Sequence, residues 1–246
     1  MKRTLILIHI LLLASLSSVA RVGASDAAVQ FNRGIAYFYG QGVKQDRRKG
    51  CDYFERAAKL GLGNAQYNLG NCYRTGHGRR RNLTMAAAWY EKAARANVAL
   101  AKNSLAMIYL FDAPDPAKGD KAIALLREAV SAGDRMAPLT LGFAYHKGVG
   151  VKHDDKKALA NYAIAGARGN ILADALLYKI NQEGMYGLKP DPQNAQYWLH
   201  QFHTNRASYY DPAWTVGCAL SSAYRRGWGL PQDDGKAKTY EKDCRW

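Results

Sequence analysis

Ala65-Gln66-Tyr67-Asn68-Leu69-Gly70-Asn71-Cys72-Tyr73, then Gly76-His77-Gly78, then Met85-Ala86-Ala87-Ala88-Trp89-Tyr90-Glu91-Lys92-Ala93-Ala94: this stretch decides the fold. Ala65, Leu69 and Tyr73 fall four apart, the spacing of one helical stripe. The glycines that follow break the stripe, and an alanine-rich second helix begins beyond them. The stretch therefore predicts a helix, a glycine turn and a second helix. Gly70 and Ala93-Ala94 are small enough for neighbouring helices to approach closely, while Trp89 and Tyr90 fill the space between hairpins. A glycine inside a helix costs roughly 1 kcal/mol relative to alanine. Its return at Gly34 and Gly142 points to a steric need for closeness.

The same register runs along the chain. Gly34, Gly70, Ala106, Gly142 and Tyr178 are spaced 36 residues apart, and Tyr37, Tyr73, Tyr109 and Tyr145 follow three residues behind the first four. Turns recur at Gly40-Gln41-Gly42-Val43, Gly148-Val149-Gly150-Val151 and Gly227-Trp228-Gly229. Self-similarity at this period means a stacked array of repeats, in which extended surfaces rather than buried pockets usually carry function. Asp46, Asp154 and Asp233 sit where a side-chain oxygen would cap the second helix of a hairpin. That recurrence favours capping over acid–base chemistry for Asp154-Asp155 and Asp233-Asp234. The third unit departs from the pattern with Phe111-Asp112-Ala113-Pro114-Asp115-Pro116, and the fifth with Tyr178 and Gly187-Leu188-Lys189-Pro190-Asp191-Pro192. In the sixth the counterpart of the glycine is Ser221, and the link around Asn205–Pro212 is longer.

Leu69-Gly70, Gly148-Val149-Gly150-Val151, Asp154, Lys157-Ala158 and Trp89-Tyr90-Glu91-Lys92-Ala93-Ala94 resemble the Sel-one-like repeat, one of the tetratricopeptide-like helical hairpins. The resemblance covers residues 28–243. It implies an all-α, right-handed superhelical solenoid of about six helix-turn-helix repeats of 36 residues, over units 28–61, 62–97, 98–133, 134–169, 170–205 and 206–246. The family is one of adaptors and scaffolds.

Residues 1–24 read as a signal peptide: Lys2-Arg3, an apolar run from Leu5 to Leu16, and small residues at Val22-Gly23-Ala24 or Ser18-Val19-Ala20. The apolar run is too short to span a bilayer comfortably, so cleavage is expected and the repeat array occupies 25–246. The leader holds three of the 35 basic residues and no acid, which leaves the mature chain at a net +12. Such a charge attracts acidic proteins or anionic lipid surfaces, and export argues against nucleic acid. Clusters at Arg47-Arg48-Lys49, Arg79-Arg80-Arg81 and Arg225-Arg226 read as a solvated rim. The four cysteines favour disulfides in an exported chain. Cys51 and Cys72 lie at similar distances from the turn near Gly61, and Cys218 and Cys244 flank the last turn. The expected bridges are therefore Cys51–Cys72 and Cys218–Cys244.

In tetratricopeptide-like arrays the first helices line the concave face. Carried across, that geometry puts Phe31, Ile35, Phe38 and Tyr39 inward in the first unit, then Tyr67, Asn71 and Arg74, then Asn103, Met107, Leu110 and Phe111. Leu139, Phe143, His146, Lys147, Lys179, Gln182, Arg225 and Arg226 continue it. Aromatic residues and arginine are the usual anchors of interfaces; the plainer alternative is that half of these residues pack between hairpins.

Catalytic signatures are missing: there is no Gly-x-Ser-x-Gly, Ser-x-x-Lys, His-Glu-x-x-His or phosphate loop. His200 and His203 share a helix face, but no cysteine or carboxylate completes a metal set. No cofactor and no metal are expected. Asn82-Leu83-Thr84 is a glycosylation sequon if the host is a eukaryote, and otherwise a cap. The leading expectation is a non-enzymatic, exported binding module, a monomer that holds another protein in its groove and is not integral to a membrane. A periplasmic immunity or inhibitor protein against a secreted toxin is the alternative. A cell-wall or β-lactam hydrolase is a further class, and an adaptor of the eukaryotic ER lumen a third.

Overall fold

The computed structural model describes residues 25–206 and 215–244. The expected leader, 1–24, and residues 207–212 of the longer link lie outside the described residues. Every regular element among the described residues is helical, and no helix there is long and apolar enough to cross a membrane. The chain forms two compact units, Met1–Leu105 and Ala106–Trp246.

In the first unit α1 (25–39), α2 (Arg47–Lys59), α3 (Gly63–Thr75) and α4 (Leu83–Arg95) follow one another, and α3 packs on both α2 and α4. The core gathers Cys51, Phe54, Ala57 and Ala58 of α2 with Ala65, Leu69 and Cys72 of α3; Phe31, Ile35 and Phe38 of α1 close it from one side. The repeating glycine has a direct steric cause. A Cβ on Gly34 would lie 2.5 Å from the Phe54 ring, and one on Gly70 would lie 2.5 Å from the Tyr90 ring. Each glycine thus meets an aromatic residue of the following helix, placed twenty positions later in the chain.

The link between the paired helices is closed at both ends. Asp46 and Asn82 accept hydrogen bonds from the amides of Lys49 and Met85, both at 2.9 Å, and so cap α2 and α4. Their own amides donate to the carbonyls of Tyr37 and Tyr73, both at 2.8 Å. The tyrosine register thus marks where the outgoing chain is tied back to the end of the first helix.

The second unit repeats these devices. After α5 (Ala99–Met107) a π-helical segment, Ile108–Asp112, and a short turn, Pro116–Lys118, replace the glycine turn; they lead into α6 (Gly119–Ser131). Then come α7 (Ala137–Lys147), α8 (Asp155–Ala167), α9 (Ile171–Glu183), α10 (Pro192–Arg206), α11 (Val216–Arg226) and α12 (Asp234–Glu241). Asp154 and Asp233 cap α8 and α12 through the Lys157 and Lys236 amides at 2.9 Å. Their own amides reach the Tyr145 and Tyr224 carbonyls at 3.0 Å. The paired carboxylates are helix starts. Gly142 faces the fully buried Tyr162 as Gly70 faces Tyr90. Cys51 is bonded to Cys72 at 2.06 Å, joining α2 to α3, and Cys218 to Cys244, joining α11 to the segment after α12.

Candidate functional site

In the first unit the expected binding residues divide by burial. Tyr39 stands 57% exposed at the end of α1, with Phe38 edge-on to it at 5.0 Å. Phe31 and Phe38 each hold one side against Phe54, with centroids 5.8 Å away, and are half-buried like Ile35. On α3, Tyr67 lies 5.8 Å from the Tyr90 ring. The Tyr90 hydroxyl donates to Asn71 Oδ1 at 2.6 Å and accepts from Arg74 Nε at 3.2 Å. Burial pushes the Tyr90 phenol up to about 12, against the nearby Arg74 charge, so it stays a neutral anchor near pH 7. Asn71 and Arg74, both half-buried, are therefore held by the repeat core rather than left to wander.

The basic clusters are more engaged than a solvated rim. Arg79 reaches Asp52 at 2.7 Å and Glu55 at 3.1 Å, and its side chain is 16% exposed. It pins the turn after α3 to α2 beneath an open depression lined by Arg48, Asp52, Glu55, Gly76, Gly78, Arg79 and Arg80.

In the second unit several expected groove residues are core residues. Phe143 is 2% exposed, because its ring is packed on Tyr162 and Trp228, each at 5.7 Å. Leu139 and Leu110 are buried too. Asn103, which belongs to the first unit, is likewise buried. Lys179 is 7% exposed and bound to Glu183 at 2.7 Å, so it works inside the unit. Met107 and Phe111 are half-buried, Lys147 and Gln182 are exposed, and Arg225 is exposed yet paired with Glu241 at 2.7 Å. Arg226 lies over the Trp228 ring at 4.5 Å, a cation–π contact that keeps one charged face at the surface.

One constellation was not foreseen from the sequence. Tyr186 adopts a left-handed backbone with φ of 61°, costly for a bulky side chain. Its hydroxyl donates to the Gly229 carbonyl at 2.6 Å, and its ring lies 4.5 Å from that of His146. His146 Nδ1 is 3.0 Å from Asp155 Oδ1, and His153 Nε2 is 3.4 Å from Asp155 Oδ2. The turns after α7, α9 and α11 thus build a patch of His146, His153, Asp155, Tyr186 and Trp228. His200 and His203, the pair weighed from the sequence, lie apart from it on exposed positions of α10. The repeat pattern does not announce the patch, because Tyr186 stands where Gly42, Gly78, Gly150 and Gly229 form the other turns, and His153 where Gln45 and Gln232 precede their caps. All four cysteines are in disulfides, so none serves as a thiol nucleophile. The two bridges fit an extracellular or periplasmic location.

The Sel1 repeat pattern matches residues 27–62, 63–98, 99–134, 140–170, 179–202 and 218–240. Among solved structures, a Sel1 repeat protein from Oxalobacter formigenes is 26% identical; the match covers 91% of this chain and 86% of that one, with a TM-score of 0.68. A protective antigen of uropathogenic Escherichia coli strains is 25% identical, over 89% of this chain and 45% of that one, with a TM-score of 0.59. An immunity protein from Pseudomonas aeruginosa shares the fold at 18% identity, over 88% and 80% of the two chains, with a TM-score of 0.54. No curated protein matches the chain. Helical repeats of this kind form a scaffold suited to protein–protein interaction, generally a non-enzymatic one. With six matched segments covering most of its length, this chain belongs to the Sel1 repeat family.

Proposed function

We propose that this protein is an exported, non-enzymatic adaptor that grips another protein through the first helices of its repeats. The observation that carries the reading is the face of α1 and α3. Tyr39 is exposed there, and the half-buried Phe31, Ile35, Phe38, Tyr67, Asn71 and Arg74 are fixed by Phe54 and Tyr90. Rigid aromatic and arginine side chains lose little entropy on binding and are the residues in which interface energy concentrates. The net charge of +12 left after the leader favours an acidic partner. The reading as exported rests on the leader sequence and the two disulfides.

The test is capture from cell-envelope extract followed by titration of the purified partner against Tyr39→Ala and Tyr67→Ala. Tyr39 is exposed, whereas Tyr67 packs on the buried Tyr90, so the fold of the second variant is checked by circular dichroism before titration. Loss of about 2 kcal/mol at either position, roughly thirtyfold in Kd, supports the reading. Unchanged affinity in both variants, with folding intact, overturns it. A partner that is a secreted toxin would make the protein an immunity factor, and an envelope component would make it an assembly adaptor.

A further inference from the structure

We propose that the turn between α7 and α8 is a divalent metal site of the zinc class, with His146, His153 and Asp155 as its ligands. The donor atoms of these three residues all lie within 4.8 Å of one another. The repeat backbone sets this spacing. His146 ends α7, the left-handed Gly148 reverses the chain, and the Asp154 amide bonds to the Tyr145 carbonyl at 3.0 Å. His153 and Asp155, on either side of that cap, are thereby brought back over His146.

The hydrogen bonds leave the donors facing inward. His153 Nδ1 is 2.6 Å from the His146 carbonyl, which can only accept, so Nδ1 carries the proton. In the neutral ring Nε2 then offers a lone pair, and it faces a carboxylate oxygen at 3.4 Å. A metal cation placed between that lone pair and the carboxylate oxygen would satisfy both acceptors. His146 Nδ1 approaches the other oxygen of the same carboxylate at 3.0 Å. At metal–ligand distances of about 2.0–2.1 Å, tetrahedral zinc holds its ligands roughly 3.3 Å apart, so a small rotation of the carboxylate toward both rings would close the site from these starting separations. The carbonyl bond to His153 is the usual outer-shell support of a metal-bound imidazole. Lys157 on α8 is paired with the neighbouring cap residue Asp154 at 3.2 Å. Tyr186 backs the His146 ring from the side. Two imidazoles and one carboxylate are a donor set that suits zinc, with at least one position left for water or for a partner's side chain.

The experiment is calorimetric titration of zinc into the untagged full-length chain, with both disulfides formed, at about pH 7. Cobalt absorption follows as a probe of geometry. One zinc per chain is expected, with a Kd in the micromolar range or below and a tetrahedral cobalt spectrum without thiolate bands. His153→Ala, at an exposed position safe for folding, and Asp155→Asn should weaken binding about 10–100-fold. A double His200→Ala, His203→Ala variant should leave it unchanged. Affinity should fall as pH drops through the imidazole range, because protons compete for the same nitrogens. No saturable binding at millimolar zinc overturns the proposal: the cluster is then held by protons alone. Affinity left unchanged by His153→Ala, or binding lost with His200 and His203, overturns it as well.

Discussion

Gly70→Ala tests the packing rule on which the repeat is built. Helix propensity alone predicts stabilisation of about 1 kcal/mol, since alanine is the better helix former. The structure predicts the opposite sign. The added methyl would sit 2.5 and 2.6 Å from two carbons of the Tyr90 ring, well inside contact distance. Tyr90 is fully buried, and its hydroxyl is tied to Asn71 and Arg74, so the ring cannot swing aside. Overpacking against a fixed core group costs about 1–3 kcal/mol, and the rigid ring puts this site at the upper end. A net loss of about 2 kcal/mol should lower Tm by roughly 4–8 °C for a chain of this size. Hydrogen exchange should place the loss in α3 and α4, because repeats couple mainly to their neighbours. Tyr90→Leu removes the obstruction, so the double variant should be more stable than the sum of the singles by about 1–2 kcal/mol. A raised Tm in Gly70→Ala, or strict additivity with Tyr90→Leu, would refute close approach as the reason for the glycine.

Three further outcomes are expected. Replacing Cys51 and Cys72 together by serine should cost about 3 kcal/mol, from the loop of 21 residues that the bridge closes; denaturant titration reads the loss, and one below about 1 kcal/mol would contradict it. Asp174 is buried, with Oδ2 held by Asn205 at 2.8 Å, and burial pushes its carboxyl up to about 6 despite that bond. The folded state therefore keeps a proton that the unfolded chain releases near pH 4, and stability should fall between about pH 4 and 6 by roughly 1–2 kcal/mol. Asp174→Asn should flatten that slope, and parallel pH curves for the two proteins would exclude Asp174 as its source. Asn82→Ala removes the cap on the Met85 amide and should cost about 1 kcal/mol in a urea titration, whereas no change would show that the cap is dispensable.

Much of the architecture was legible because it rests on local rules. Helical spacing around Leu69 and Gly70 and the caps at Asp46, Asp154 and Asp233 each depend on residues within a turn or two of one another. The cysteine pairing is nearly as local, since helix rise from a shared turn brings Cys51 opposite Cys72. The candidate surface was legible only in part. A 36-residue register says which residues share a helix position, but not which of its sides meets the core. Phe143 and Tyr39 both stood as groove residues, yet one is enclosed by Tyr162 and Trp228 while the other is open.

By itself, then, the sequence determined the repeat, its period, its turns and its capping, since these follow from backbone chemistry and side-chain size along a short length of chain. Tertiary structure alone decided which aromatic residues remain exposed, that Arg79 anchors a turn, and that His146, His153, Asp155 and Tyr186 meet. Arg79 and Tyr186 reach across to other hairpin elements, while His146, His153 and Asp155 meet within one turn whose side-chain directions the register does not specify. The Arg79 and Tyr186 distances depend on how successive helices stack, and periodicity carries no record of that.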